Sequence, residues 1–216
     1  NKGPITQYLD KLSPASQIIG ACNTVVNDNG VLTGTITDGI GAMQALKDEG
    51  VEYIGKKMVV IGAGGAATAI EVQAALDGVR ELTIFNRADE FYAHGEETVK
   101  KLRERTDCIV NIYPLEDHAK LKEELDSADI YIDSTSCGMK PLEDVVAIPD
   151  KSYLRPDLVV MDTVYAPRQT KLMKWCDEVG CKNFNGLGMM LYQGAAAFKL
   201  WTGKEMPVDF IKDVLF

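Results

Sequence analysis

The stretch Met58-Val-Val-Ile-Gly-Ala-Gly-Gly-Ala-Ala-Thr68 decides the fold of this chain. Its apolar run, 58–61, predicts a buried strand, and the glycines that follow predict a sharp turn into a helix. A turn of this kind presents backbone N–H groups at a helix N-terminus, where a pyrophosphate can bind. Gly62 then allows the tight turn, Gly64 admits the phosphates, and Ala67 lets the helix pack on the strand. Because glycine-rich turns are common, a plain strand-to-helix turn is the alternative.

Strand-like and helical segments alternate along the chain from residue 58 to residue 185. The alternation predicts an α/β fold, in which helices cover both faces of a doubly wound parallel sheet, a Rossmann fold. Right-handed crossovers between the strands give this winding. The predicted strands are 58–61, 82–85, 109–113, 130–133, 158–161 and 183–185, and the predicted helices are 66–77, 90–105, 116–125 and 170–179.

The two ends of the chain follow a different pattern. The sequence Asn-Asp-Asn-Gly at 27–30 predicts a hairpin turn between strands at 22–26 and 31–34. The last 30 residues predict two helices, 188–201 and 207–215. We expect residues 1–38 and 187–216 to form a smaller α/β substrate domain, incomplete at its N-terminus. Residues 39–186 then form the dinucleotide-binding domain, inserted between them.

Composition narrows the class of partner. The chain has 216 residues and a net charge of −9, from 23 basic and 32 acidic side chains. Since it has no basic stripe and no apolar run of the roughly 18 residues that a membrane span needs, we expect neither a nucleic-acid nor a membrane partner. Five dispersed cysteines argue against a disulfide framework and a zinc site, so we expect no metal and a cytoplasmic location. The oligomeric state is left open, with a homodimer as one alternative.

The end of the second strand of a dinucleotide fold contacts the adenosine ribose. Here this end carries Asn86-Arg87-Ala88-Asp89. Arg87 suits an adenine ring or a 2′-phosphate, whereas Asp89 suits a free 2′-hydroxyl and repels a phosphate. Asp89 is equally suited to be the N-cap of the following helix. On this balance NAD is the favoured cofactor, with NADP as the alternative.

Short motifs occur in one order along nearly the whole chain. They are Asn1-Lys2, Gly20-Ala-Cys-Asn-Thr24, Thr37-Asp-Gly39, Gly62-Ala-Gly-Gly-Ala66, Asn86-Arg87, Gly138-Met139, Val164-Tyr-x-Pro167 and Gly186-Leu-Gly-Met-x-x-x-Gln-Gly194. As a set they closely resemble the shikimate dehydrogenase family. Three further runs resemble its quinate/shikimate dehydrogenase branch: Asn86-Arg87-x-Asp-Glu-Phe91, Met139-Lys-Pro141 and Trp201-Thr-Gly-Lys204.

The resemblance implies an NAD(P)-dependent dehydrogenase that interconverts shikimate and 3-dehydroshikimate, or quinate and 3-dehydroquinate, in aromatic amino-acid biosynthesis. By motif match, Lys2 and Asp38 are the catalytic residues. A lysine ammonium beside the reacting hydroxyl can position it, stabilise the developing alkoxide and relay the proton. A neighbouring aspartate would hold that lysine in place. Without the resemblance, Lys2 would be a frayed terminal lysine and Asp38 a loop cap.

The same match assigns further residues to the site. The substrate-binding set is Lys2, Asn23, Asp38, Tyr165 and Gln193. The cofactor-binding set is Gly62, Ala63, Gly64, Gly65, Ala66, Asn86, Arg87, Asp89, Ser136, Thr163, Val164 and Gly186. Asn23 and Gln193 correspond to amide donors to the substrate hydroxyls. Ser136 stands where the branch can carry a lysine, and the loss of that cation should weaken a phosphate contact.

The sequence departs from the family pattern in three places. The family's upstream Ser-x-Ser pair, which holds the substrate carboxylate, is missing, so we expect a fragment that binds NAD but turns over slowly or not at all. Thr35-Ile36 replace a pair that ends in asparagine, which leaves both shikimate and quinate open as substrates. Ala88 stands where the branch can carry a second arginine, which favours NAD. Two other functions stay open: a dehydrogenase for another polyol acid, and a non-catalytic NAD-binding regulatory module.

Overall fold

The computed structural model describes residues 2–215, with the backbone alone for Leu215. Asn1, which belongs to the first motif of the resemblance, and Phe216 lie outside the described residues. No helix within 2–215 is both long and apolar enough to cross a membrane.

A small three-stranded sheet lies near the start of the chain. Two residues, Asn29 with φ 51° and Gly30 with φ 94°, supply the left-handed conformations that a two-residue hairpin turn requires. The strand predicted at 22–26 begins at Thr24, two residues later, because the N–H of Cys22 donates to the carbonyl of Lys2 (3.0 Å) and not to a neighbouring strand. The elements are a 3-10 turn (Pro4–Tyr8), β1 (Lys11–Leu12), α1 (Pro14–Ile19), β2 (Thr24–Asp28) and β3 (Val31–Thr35), with sheet order β1-β3-β2.

The larger sheet has six parallel strands in the order β6-β5-β4-β7-β8-β9. They are β4 (Lys57–Ile61), β5 (Glu81–Asn86), β6 (Ile109–Pro114), β7 (Ile130–Asp133), β8 (Val159–Asp162) and β9 (Asn183–Phe184). The winding reverses between β4 and β7, and ligands of such folds bind outside the carboxyl ends of the strands at this reversal. The predicted Rossmann fold is confirmed.

Helices cover both faces of this sheet, and the side chains of β4 alternate between two cores. The helices are α2 (Asp38–Asp48), α3 (Gly65–Asp77), α4 (Glu90–Arg105), α5 (His118–Ser127), α6 (Lys171–Val179), α7 (Leu187–Thr202) and α8 (Val208–Leu215), with a 3-10 turn at Lys151–Tyr153. Met58 and Val60 pack with residues of α2 and α3, whereas Val59 and Ile61 pack with residues of α5 and α6.

Helix α2 has no counterpart among the predicted helices. It packs closely on α3 and α7, and a glycine lies at each contact. A Cβ on Gly39 would lie 2.2 Å from the carbonyl oxygen of Ala69, and a Cβ on Gly41 would lie 2.5 Å from that of Met189. These approaches place the start of α2 beside both neighbouring helices. The division of the chain into 1–38 with 187–216 and 39–186 stays a prediction.

Candidate active site

The glycine-rich turn joins β4 to α3. Gly62 has φ 123°, and a Cβ on it would lie 2.7 Å from the carbonyl oxygen of Ser134, so this position requires glycine. Gly64 is the N-cap of α3, and a Cβ there would meet no atom within 4 Å. Ala67 is fully buried under the turn. Since the first N–H groups of a helix have no partner within it, an open helix start of this kind suits a phosphate.

A cavity of about 460 Å³ opens beside this turn. The predicted cofactor-binding residues that line it are Gly62, Ala63, Gly64, Asn86, Arg87, Asp89 and Ser136. Gly65 and Ala66 form the exposed first turn of α3 next to it. An apolar wall includes Leu115, Leu142 and Val145, which sequence reasoning missed. Leu142 and Val145 lie in an irregular segment, whose sequence has no helical or strand periodicity from which a cavity lining could be predicted.

Asn86, Arg87 and Asp89 hold one another at the end of β5. Oδ1 of Asp89 accepts hydrogen bonds from Nδ2 of Asn86 (3.0 Å) and from the N–H of Phe91 (3.0 Å). Its Oδ2 lies 3.3 Å from Nη2 of Arg87, whose side chain is 74% exposed. Asp89 is therefore the N-cap of α4, as one of the two alternatives expected, and it also pairs with Arg87.

A second cavity, of about 600 Å³, lies at the end of β8. It shares Thr135 with the first cavity, so the two adjoin. Gly186 packs against the backbone of two residues that line this cavity. Its N–H donates to the carbonyl of Val164 (3.1 Å), and a Cβ on it would lie 2.0 Å from the carbonyl oxygen of Thr163. The lining contains the predicted Thr163, Val164 and Tyr165, together with Thr135, Met139, Lys140, Glu143, Ala166 and Pro167, which had not been assigned to the site.

Lys2 and Asp38 form an ion pair. Nζ of Lys2 lies 2.7 Å from Oδ2 of Asp38. Asp38 is the first residue of α2, where the helix dipole favours a negative charge, and its side chain is 11% exposed. The Lys2 side chain is 54% exposed. The carboxylate is therefore held by the protein, whereas the ammonium keeps a face open to a ligand.

Asn23 is bound to the same carboxylate. Its Nδ2 donates to Oδ2 of Asp38 (3.1 Å) and to Oγ1 of Thr37 (3.1 Å). Its Oδ1 accepts from the N–H of Thr37 (2.9 Å) and from Oγ1 of Thr24 (3.0 Å). Both amide hydrogens are used, so Asn23 orients Asp38 and reaches a ligand only by exchanging one of these bonds. Sequence reasoning assigned no role to Thr24 and Thr37, although both occur in the quoted motifs.

Gln193 and Tyr165 lie at two other places around the site. Gln193 is half-buried on α7, and a Cβ on Gly41 would lie 2.6 Å from its backbone nitrogen. Its side-chain amide forms no hydrogen bond within residues 2–215, which leaves it free for a ligand. Tyr165 is 49% exposed in the wall of the second cavity.

Known proteins resemble the chain over its whole length. Residues 186–216 match the family model of the shikimate 5′-dehydrogenase C-terminal domain. The chain is 56% identical over 216 residues to the shikimate dehydrogenase (NADP(+)) of Listeria monocytogenes serotype 4b (strain F2365), covering 100% of this chain and 74% of that relative. The chain belongs to the shikimate dehydrogenase family. The predicted resemblance is thus confirmed.

Solved structures extend the likeness to the fold. The crystal structure of a Listeria monocytogenes shikimate 5-dehydrogenase in complex with shikimate and NAD has a TM-score of 0.98 at 56% identity, covering 100% of this chain and 75% of that one. A quinate dehydrogenase from Corynebacterium glutamicum in complex with NAD has a TM-score of 0.85 at 26% identity, covering 98% and 73%. The chain thus shares its fold with dehydrogenases crystallised with NAD.

This family member carries two buried carboxylates that sequence reasoning missed. Asp133 ends β7 and Asp162 ends β8, and they are 3% and 2% exposed. Burial raises the pKa of Asp133, and burial together with the charge of Asp133 raises the pKa of Asp162 to about 7. The sequence did contain a signal for these two residues, since each aspartate ends an otherwise apolar strand. Burying a charged side chain is costly, so such an aspartate indicates a special environment.

Proposed function

We propose that this member of the shikimate dehydrogenase family interconverts shikimate and 3-dehydroshikimate by hydride transfer with NAD(P), through Lys2 and Asp38. The 2.7 Å ion pair between them carries the proposal, because it fixes a partly exposed ammonium where a substrate hydroxyl can meet it. The relative named shikimate dehydrogenase (NADP(+)), at 56% identity, supports the reaction and its place in aromatic amino-acid biosynthesis. Quinate is the second candidate substrate, favoured by the likeness to a quinate dehydrogenase.

Lys2 handles the proton of the reacting hydroxyl. An ammonium has three N–H donors, and Asp38 takes one, so two remain for the substrate. As the carbon–hydrogen bond breaks and the carbonyl forms, negative charge develops on the hydroxyl oxygen, and the adjacent ammonium stabilises it. The Lys2 ammonium releases one of its protons to water and takes up the hydroxyl proton in exchange, which restores its charge. When bound, the nicotinamide ring supplies the hydride acceptor.

Asp38 and the amide residues position the reacting partners. Asp38 holds Lys2, and Asn23 holds Asp38, so the ammonium has one defined direction. Gln193 donates its unused amide N–H to a ring hydroxyl of the substrate, and Tyr165 bounds the substrate from the second cavity. Asn23 binds a second hydroxyl when it exchanges its bond to Thr37. Correct placement of two reactants accounts for a large part of the rate in such reactions.

The two adjoining cavities suit the two ends of a dinucleotide. The pyrophosphate binds at the start of α3, along residues 62–66, and the adenosine ribose binds beside Asn86, Arg87 and Asp89. Ser136 adds a hydroxyl on the same side. Thr163 and Val164 would hold the nicotinamide in the second cavity, and the backbone of Gly186 packs behind them. NAD is favoured because Asp89 faces the ribose, and NADP is also accepted because the exposed Arg87 can turn to a 2′-phosphate.

The test follows NADH formation by the 216-residue chain with shikimate, with quinate and with no substrate, using NAD and then NADP. Lys2→Ala should abolish turnover and leave NADH affinity nearly unchanged, because the lysine is proposed to contact the substrate hydroxyl and not the cofactor. Lys11→Ala, an exposed lysine of β1, is the control and should keep full turnover. Tight NADH binding without turnover on either acid would favour a non-catalytic module, and turnover by Lys2→Ala would remove Lys2 from its role.

Two further expectations are part of this proposal. We propose that 1–38 with 187–216 form the substrate domain and 39–186 the cofactor domain, which limited proteolysis between them tests. A homodimer is proposed as the assembly, and light scattering after gel filtration tests it.

A further inference from the structure

Asp133 and Asp162 end two neighbouring strands side by side. They are paired residues in the parallel register of β7 and β8, so their side chains leave the sheet on the same face. Both strands end beside the reversal of the sheet, where the two cavities open. Two carboxylates, both almost fully buried, thus lie on neighbouring strands directly before the loops that line the two cavities.

Each carboxylate holds the loop that follows its own strand. Asp133 accepts hydrogen bonds from the N–H of Thr135 (3.0 Å) and from its Oγ1 (2.7 Å). Asp162 accepts from the N–H of Val164 (2.9 Å) and from Oγ1 of Thr170 (2.6 Å). Loop 134–138 and loop 163–170 are therefore each fixed at their bases. These loops supply Thr135, Ser136, Thr163, Val164 and Tyr165 to the two cavities.

The surroundings of the pair do not neutralise two negative charges. The titratable groups that face it are the hydroxyl of Tyr131 from β7, the thiol of Cys137 from the first loop and the thiol of Cys176 from α6. None of these three carries a positive charge, and burial raises the pKa of all three, so they stay neutral. Two ionised carboxylates that end adjacent strands and are this deeply buried repel each other strongly, and one proton on either carboxylate removes the repulsion.

The hydrogen bonds indicate which carboxylate keeps its charge. Asp133 receives three, because the hydroxyl of Tyr131 also donates to it (3.0 Å). Asp162 receives two. Since hydrogen bonds to an ionised carboxylate stabilise its charge, Asp133 is the better anion and Asp162 the better holder of the proton.

We propose that Asp133 and Asp162 are positioning residues that share one proton, and that this proton keeps loops 134–138 and 163–170 in the geometry that binds the dinucleotide. The inference rests on the proposed binding of NAD(P). A dinucleotide adds negative charge and excludes water above the pair, and both effects favour the protonated form. By linkage, affinity for the cofactor falls as rising pH removes the proton.

The experiment measures the Kd of NADH by fluorescence for the 216-residue chain between pH 6 and pH 9. We expect the Kd of the wild-type chain to rise about tenfold or more above neutral pH, the size that a single proton can give over one to two pH units. Asp162→Asn should give a pH-independent Kd, close to that of the wild type at pH 6. Asp133→Asn should weaken the pH dependence and shift it to lower pH, because it removes the neighbouring charge but not the burial that raises the pKa of Asp162. Asp117→Asn, an exposed N-cap of α5, is the control and should keep the wild-type profile.

A second measurement needs no cofactor. Urea unfolding of the same proteins should show that the wild-type chain loses stability as pH rises from about 4 to 7, where Asp162 is still protonated in the folded chain but ionised in the unfolded one, and that both aspartate variants lose less. A wild-type profile that is flat, or one that persists in both variants, would overturn the inference. If folded wild-type chain fails to bind NADH at pH 6 while the unfolding profiles behave as expected, the proposed cofactor binding is wrong and the shared proton stands.

Discussion

Lys2 and Asp38, 36 residues apart in the chain, meet with Nζ and Oδ2 2.7 Å apart. The same oxygen accepts a hydrogen bond from Nδ2 of Asn23 (3.1 Å). The three side chains come from the segment before β1, from the residue before β2 and from the start of α2. An ion pair with one buried member and a fixed neighbour has a defined geometry, unlike most ion pairs at a protein surface. This geometry is what the proposed chemistry needs.

Asp38→Asn should lower kcat for shikimate oxidation by about 100-fold, because the uncharged amide of asparagine cannot form the ion pair that positions Lys2. The Kd for NADH should change less than about twofold, since Asp38 does not line either cavity. Steady-state kinetics and a fluorescence titration measure the two effects. Asp28→Asn, an exposed position at the end of β2, is the control. A kcat within threefold of the wild type would contradict the role of Asp38.

Asp89→Asn should raise the preference for NADP over NAD by about tenfold, because it removes a negative charge from the place where the proposed function puts the ribose. Asparagine is also a good N-cap, so α4 should keep its start and the protein its stability. The ratio of kcat/KM for the two cofactors measures the change. Asp117→Asn, which makes the same replacement at the N-cap of α5, should leave the ratio unchanged.

Gly186→Ala should destabilise the protein by about 2–4 kcal/mol, since the new Cβ would lie 2.0 Å from a backbone oxygen of Thr163 and one of the two backbones must move. NADH affinity should fall as well, because Thr163 lines the second cavity. Gly194→Ala, within the helix that Gly186 caps, is the matched control. Its Cβ meets no atom within 4 Å, so it should stabilise by about 0.5–1 kcal/mol. If both substitutions changed the free energy of unfolding by urea to the same extent, the prediction would be contradicted.

Glu124→Gln should lower the free energy of unfolding by about 2–4 kcal/mol, because Glu124 is buried and bridges Lys57 (2.7 Å) and Lys120 (2.8 Å). Burial alone would raise the pKa of Glu124, but hydrogen bonds from Lys120, Lys57 and Thr83 lower it overall. A lowered folded-state pKa means that this stability is present above about pH 4.5 and is lost as pH falls below it. The loss in Glu124→Gln should therefore be large at pH 7 and small at pH 3.

The control for that prediction is Glu123→Gln. Glu123 pairs with the same lysine (2.9 Å), but its side chain is 69% exposed. Exposed pairs contribute little, so the change should be below about 0.5 kcal/mol. A loss as large as that of Glu124→Gln would show that burial is not the cause.

Glu71→Met should raise the free energy of unfolding at pH 7 by about 1–3 kcal/mol, because both carboxyl oxygens of Glu71 are buried without a hydrogen-bond partner among the described residues. Burial raises the pKa of Glu71 well above its usual value. With a raised folded-state pKa, stability is full below about pH 4.5 and is lost as pH rises. The gain from Glu71→Met should thus be larger at pH 8 than at pH 5 in urea unfolding. Glu96→Met, exposed on α4, should give no such pH dependence.

Local patterns in the sequence determined the Rossmann sheet. Each strand of β4 to β8 is a short apolar run, and each is followed by a helix or turn signal, so neighbours within a few residues carry the information. The need for glycine at 62 was visible for the same reason, since a tight turn depends on adjacent dihedral angles. The motif order also identified the family and its candidate site residues.

Only the tertiary structure decided how those residues meet. The ion pair of Lys2 with Asp38, the full use of the Asn23 amide, and the pairing of Asp133 with Asp162 all join residues that are distant in the chain. Helix α2 went unpredicted because its glycine-rich start has a weak helical pattern, and close packing on α3 and α7 supports it instead. Long-range packing sets burial and charge environment, and these decide what a side chain can do.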